Sequence, residues 1–125
     1  MKKKTIICVT DYVLPPFSVE SKVLGNEFEI VNYSNLKKYE LENIDCLMVW
    51  HKKVNKEFLK NFKKLKFVVR YGVGYDNIDL KILKKKKIDF SNNPDYGVEE
   101  VSDSTVAMIL NFTRQINRYN FCQVD

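Results

Sequence analysis

Five short apolar runs constrain this chain most. Residues 5–10, 28–32, 46–50 and 67–70 are rich in β-branched and aromatic side chains, and residues 88–91 form a weaker fifth. They show little of the apolar–polar alternation expected of a sheet with one wet face, the pattern of strands covered on both sides. Between them the period changes to that of helices. Residues 56–64 place Phe58, Leu59 and Phe62 on one stripe, and residues 79–86 turn Ile82 and Leu83 inward behind a cap at Asn77 or Asp79. From Glu99 to about Arg118, Val101, Thr105, Met108, Ile109, Phe112 and Ile116 recur at three- and four-residue spacing. Glu99, Glu100 and Asp103 open that stretch and Arg114 and Arg118 lie near its end, both complementing a helix dipole. Strands alternating with helices predict an α/β fold with a parallel sheet of about five strands and right-handed crossovers. Ligands of such sheets bind beyond the carboxyl ends of the strands. That rule points to Asp11, His51 and the segment after Arg70.

Composition removes several alternatives. At 125 residues the chain is long enough to bury a core, and no apolar run approaches the roughly 20 residues of a membrane span. The basic-then-apolar start, Met1 to Val9, stops at Asp11 without a small-residue cleavage site, so it reads as a buried first strand rather than a leader. The net charge is +5, yet only Arg70, Arg114 and Arg118 of the 21 basic residues are arginine. A nucleic-acid reader would carry arginine forks among exposed aromatics. The lysines, including the run at 84–87, therefore read as a solvated surface, with nonspecific polyanion binding confined to low salt. Cys8, Cys46 and Cys122 form no C-x-x-C pair. Cys8 and Cys46 read as buried small hydrophobes of a reduced, cytoplasmic protein. With His51 the sole histidine, no metal-ligand set is visible.

The stretch Val69-Arg70-Tyr71-Gly72-Val73-Gly74-Tyr75-Asp76-Asn77-Ile78-Asp79 follows a strand and precedes a helix. Two readings stand. In one, the paired glycines bring backbone N–H groups together as an anion-binding nest, and the planar fork of Arg70 matches a carboxylate. In the other, Gly72 and Gly74 only permit a tight turn while Arg70 pairs with Asp76 or Asp79. A dinucleotide fingerprint is excluded, because asparagine stands at position 77 where a third glycine is needed. No G-x-x-x-x-G-K-[ST] occurs either.

The run Arg70 to Asp79 closely resembles the signature of the D-isomer-specific 2-hydroxyacid dehydrogenases. Asn92-Asn93-Pro94-Asp95-Tyr96-Gly97-Val98-Glu99-Glu100-Val101-Ser102-Asp103 is similar to that family's next block. Asp103-Ser104-Thr105 and Ile109-Leu110-Asn111 look most like the branch containing the C-terminal binding proteins, and Thr10-Asp11 and Trp50-His51 fit as well. The resemblance covers essentially the whole chain. It implies a flavodoxin-like substrate-binding lobe over residues 1–98, then an interdomain linking helix and divergent tail over 99–125, with the NAD-binding Rossmann domain absent. Carried over by position, Arg70 holds the substrate carboxylate and the amides of Val73 and Gly74 bind the same group. Val73 also meets the nicotinamide end of NAD, with Asn93 and Thr105 as cofactor-edge contacts. Trp50 and His51 line the substrate side, although His51 fits equally well as a residue capping a strand end.

NAD is the cofactor of the full-length family, and the resemblance implies no tight cofactor binding by this chain alone. The family's G-x-G-x-x-G, its hydride-site arginine, its supporting acid and its general-acid histidine all lie downstream of these residues. Reducing a 2-keto acid needs both hydride and a proton donor, and His51 does not match the catalytic histidine. The expected partners are a small 2-keto or 2-hydroxy carboxylate and a separate chain carrying the NAD-binding domain, with no specific nucleic acid and no membrane. The chain alone is expected to catalyse nothing. The alternatives are a non-enzymatic interaction module, meeting another chain through the apolar face of its last helix, or a decayed gene product. Two positions depart from the family: Lys87 stands where glycine usually closes a helix in a left-handed turn, at a cost of about 1 kcal/mol, and residues 121–125 diverge.

Overall fold

The computed structural model describes residues 4–121. The chain divides into two units, Met1–Pro94 and Asp95–Asp125. In the first, β1 (Thr5–Val9), β2 (Phe28–Asn32), β3 (Cys46–Val49), β4 (Phe67–Arg70) and β5 (Asp89–Ser91) form one parallel sheet. Its order, β2-β1-β3-β4-β5, is that of flavodoxin-like sheets. All five apolar runs thus became strands.

Register explains the core. Cys8 pairs with Leu47, Leu47 with Val68 and Val68 with Phe90, so this row crosses the sheet on one face. Cys8, Leu47 and Val68 are completely buried there, in a cluster with Leu41, Ile44, Leu59, Phe62, Leu83 and Ile88. The opposite face is less covered within this unit. Cys46, Met48, Phe67 and Val69 are half-buried, and with Val19, Val23 and Leu24 of α1 (Ser18–Leu24) they border an apolar cavity of about 350 Å³. The expectation of a fully buried Cys46 is corrected accordingly, while Cys8 is sealed and desolvation pushes its thiol up to about 12.

Three local differences from the sequence reading have physical causes. The stretch 56–64 forms only a 3₁₀ turn, Phe58–Asn61, capped by the Asn55 side chain accepting from the Phe58 amide at 2.9 Å. Leu59 is the residue the turn buries, and Phe62 and Leu65 of the extended segment after it are buried as well. Helix α1 was not anticipated, being short, uncapped by any side chain and without a buried residue. In the second unit the expected single helix is interrupted. Helix α3 (Val98–Arg114) ends at Gln115, left-handed at φ 54°, whose amide turns back to the carbonyls of Asn111 and Phe112. Helix α4 (Ile116–Phe121) follows, with the Asn111 side chain accepting from the Asn117 amide.

Helix α2 (Leu80–Lys86) forms as read, with Asp79 as its N-cap accepting from the Ile82 amide. It closes at Lys87, left-handed at φ 56° and ψ 43°, the conformation inferred for that position. Among the described residues no helix is long and apolar enough to cross a membrane, and no cluster of three His, Cys, Asp or Glu could hold a metal ion. Cys122 and the rest of the tail, 122–125, lie outside the described residues.

Candidate functional site

The carboxyl ends of β1, β3 and β4 converge on the segment that leaves β3. Thr10 and Asp11 follow β1, and the Asp11 carboxylate accepts the backbone amides of Trp50 at 3.1 Å, His51 at 2.6 Å and Lys52 at 3.0 Å. It also accepts the Thr10 hydroxyl. From the other side, the Asn77 side-chain amide donates to the carbonyls of Trp50 at 3.2 Å and Lys52 at 2.9 Å. Both polar edges of residues 50–52 are therefore held by side chains from elsewhere in the chain. Desolvation pulls the Asp11 carboxyl upward most strongly of any single effect, but the four hydrogen bonds together outweigh it and hold the group below its usual range.

Aromatic rings gather on this clamp. The Tyr12 ring meets His51 edge-on at 4.9 Å and lies 6.4 Å from Trp50, while Trp50 lies 5.9 Å from His51 and 6.2 Å from Tyr71. Tyr71 points to the other sheet face, where its hydroxyl donates to Glu20 at 3.1 Å. Burial, reinforced by the Glu20 carboxylate, raises the Tyr71 phenol well above its ordinary range.

Arg70 ends β4 beside Val49. Its guanidinium carbon lies 5.5 Å over the Trp50 ring, and its buried Nε has no hydrogen-bond partner. The ion pairs among the described residues are Lys60 with Glu57 and Lys63 with Glu42, so Arg70 is paired with neither Asp76 nor Asp79. That overturns the tight-turn reading of this arginine.

The glycine turn is also corrected. No residue from 70 to 79 has positive φ, so the left-handed step of an amide nest is not taken. Gly72 leaves room for the Arg70 guanidinium where it lies: a Cβ there would meet its flexible tip. The turn is tied to the end of β5, with the Asn93 amide donating to the Gly72 carbonyl at 3.2 Å and the Asn92 side chain to the Val73 carbonyl at 2.7 Å. The N–H groups of Val73 and Gly74 donate to no described residue.

Arg70, Trp50, His51, Val73, Gly74 and Asn93 are thus brought to one end of one sheet. Thr105 belongs to α3 in the second unit, where its hydroxyl donates back to the Val101 carbonyl at 2.7 Å. The sequence reading located Asp11 without its role and missed Tyr12 and the clamp from Asn77. For Asn77 it offered a helix cap, a role the structure gives to Asp79, and an amide side chain where a nucleotide-binding turn would need glycine.

A family model described as D-isomer specific 2-hydroxyacid dehydrogenase, catalytic domain, matches residues 8–119. The chain belongs to this family. The glyoxylate reductase of Pyrococcus horikoshii is 35% identical over 98 residues, which are 78% of this chain and 29% of that enzyme. The glyoxylate reductase of Thermococcus litoralis is 41% identical over 64 residues, 51% of this chain and 19% of that enzyme. The solved D-lactate dehydrogenase of Aquifex aeolicus, complexed with NAD and lactic acid, matches with a TM-score of 0.72 at 26% identity, covering 95% of this chain and 38% of that one. The chain therefore spans under two fifths of the length of these relatives.

Proposed function

We propose that this chain provides the substrate-binding side of a nicotinamide-dependent D-2-hydroxyacid dehydrogenase, with Arg70 holding the carboxylate of a 2-keto or 2-hydroxy acid. One observation carries the reading: Arg70 stacks on Trp50 with a buried Nε that no described residue satisfies. An unsatisfied buried donor costs about 1–3 kcal/mol, a penalty that a bound carboxylate removes by accepting a charge-assisted hydrogen bond. The unengaged amides of Val73 and Gly74 add two donors for the same group, and Trp50 and His51 line the space beside it. The charge of Lys52 does not compete, since its ammonium lies over the rings of Tyr33 and Phe58 at 5.1 and 5.6 Å.

The family's cofactor fits these residues only at an edge. The half-exposed, apolar Val73 and the neighbouring Asn93 offer a nicotinamide ring one wall, and no described element offers its pyrophosphate a glycine-rich cradle. When bound, NAD supplies the hydride. The residues here fix the acid by its carboxylate and flank its carbonyl. In this reading the dinucleotide is held by a Rossmann domain outside the given residues, on the same polypeptide or a separate chain, and residues 1–125 alone turn over nothing. Asp103-Ser104-Thr105 and Ile109-Leu110-Asn111 support the branch containing the C-terminal binding proteins, and the free thiols Cys8 and Cys46 support a cytoplasmic location.

The test is a titration of the ¹⁵N-labelled chain with glyoxylate and with pyruvate. The amide resonances of Val73 and Gly74 should shift and saturate, and Arg70→Met should abolish the response. Amides that stay put at high millimolar acid would overturn the proposal.

A further inference from the structure

Tyr12 combines two features that its neighbours lack. Its backbone is left-handed at φ 66°, a conformation that a bulky side chain seldom adopts. The residue is also 73% exposed. Neither feature contributes to the core. The conformation is over-determined from outside: the Val13 amide turns back to the Asp11 carbonyl at 2.8 Å, and the Asp11 side chain is fixed by the amides of residues 50–52. Backbone strain held in place this way commonly marks a functional contact.

The strain sets the Tyr12 ring against His51 at 4.9 Å and 6.4 Å from Trp50, the same Trp50 that lies under the Arg70 guanidinium. A run of π surfaces therefore leads outward from the carboxylate holder. The hydrogen of glyoxylate or the methyl of pyruvate is too small to use it. A flat ring on the acid's third carbon would stack on it, as aromatic pairs do at centroid separations of 4.5–7 Å. Resting on the carboxylate reading of Arg70, we propose that Tyr12 is a specificity-determining residue and that the preferred acid carries an aromatic side chain.

The experiment compares glyoxylate, pyruvate and phenylpyruvate against the ¹⁵N-labelled chain by NMR titration, with Tyr12→Asn beside the wild type. Asparagine is among the non-glycine residues that most readily take positive φ, so the variant is chosen to keep the turn while removing the ring. Phenylpyruvate should bind about tenfold more tightly than pyruvate, its added shifts falling on Tyr12, Trp50 and His51. In Tyr12→Asn the ratio of the two affinities should collapse to within about threefold. Equal affinities in the wild type, or a ratio untouched by the substitution, overturn the inference and leave the carboxylate site standing. Tighter binding of phenylpyruvate with shifts confined to Val19, Met48 and Phe67 around the apolar cavity also overturns it. If no acid shifts any resonance, the carboxylate reading and this inference fall together.

Discussion

Replacing Asp11 with alanine removes the acceptor of three successive amides at once. Hydrogen bonds to a charged group are worth about 1.5–3 kcal/mol each, but the sum must be discounted. His51 is exposed, so water takes over its amide, and the carboxylate is itself only half-buried, which screens its charge. The part-buried amides of Trp50 and Lys52 remain, giving an expected loss of about 2–3 kcal/mol. Urea unfolding followed by fluorescence reads this directly, because Trp50 is the sole tryptophan and sits on the clamp. With an m-value of about 1.5 kcal/mol per M the midpoint should fall by about 1.3–2 M at pH 7 with m unchanged. The pH dependence has a fixed sign. The Asp11 carboxyl titrates lower in the folded chain than unfolded, so its stabilisation is complete above the ordinary carboxylate value near pH 4 and disappears as pH falls through the folded value. The gap between wild type and Asp11→Ala should therefore narrow below about pH 4. A loss under about 0.5 kcal/mol, or a gap that stays constant into strong acid, would refute the clamp as a load on stability.

Two further substitutions separate room from rigidity. Gly72→Ala puts a methyl where the Arg70 guanidinium lies. Because the backbone there is ordinary and a flexible tip can move, unfolding should shift by less than about 1 kcal/mol. Carboxylate affinity, read by NMR titration, should fall at least tenfold. Lys87→Gly relieves a left-handed helix end and should raise stability by about 1 kcal/mol in thermal melts, with carboxylate binding unchanged.

The strands were legible because parallel strands in a buried sheet must be apolar almost throughout, and the rule that ligands gather at strand ends follows from topology alone. Asp11, His51 and the segment after Arg70 were found that way, while Trp50 came from the family resemblance. What escaped depends on contacts between distant segments. Asn77 bonds carbonyls 25 and 27 positions away, and nothing local distinguishes it from a helix cap. Gly72 reads as a turn former until the position of the Arg70 side chain shows that space is what it provides. The 3₁₀ turn at Phe58–Asn61 and the break at Gln115 show the same limit. A periodic stripe fixes which residues face inward, while the number of residues per turn is settled by the core they must reach.

The account stands on Arg70 as an arginine whose partner is the substrate's carboxylate, and the most direct measurement is the side-chain Nε–H resonance of Arg70 during titration with pyruvate and with pyruvamide. A carboxylate that accepts this hydrogen should move the resonance downfield to saturation and slow its exchange with water, while the neutral amide should leave it in place. An unmoved Nε–H at saturating pyruvate, or the same shift from pyruvamide, would contradict the assignment.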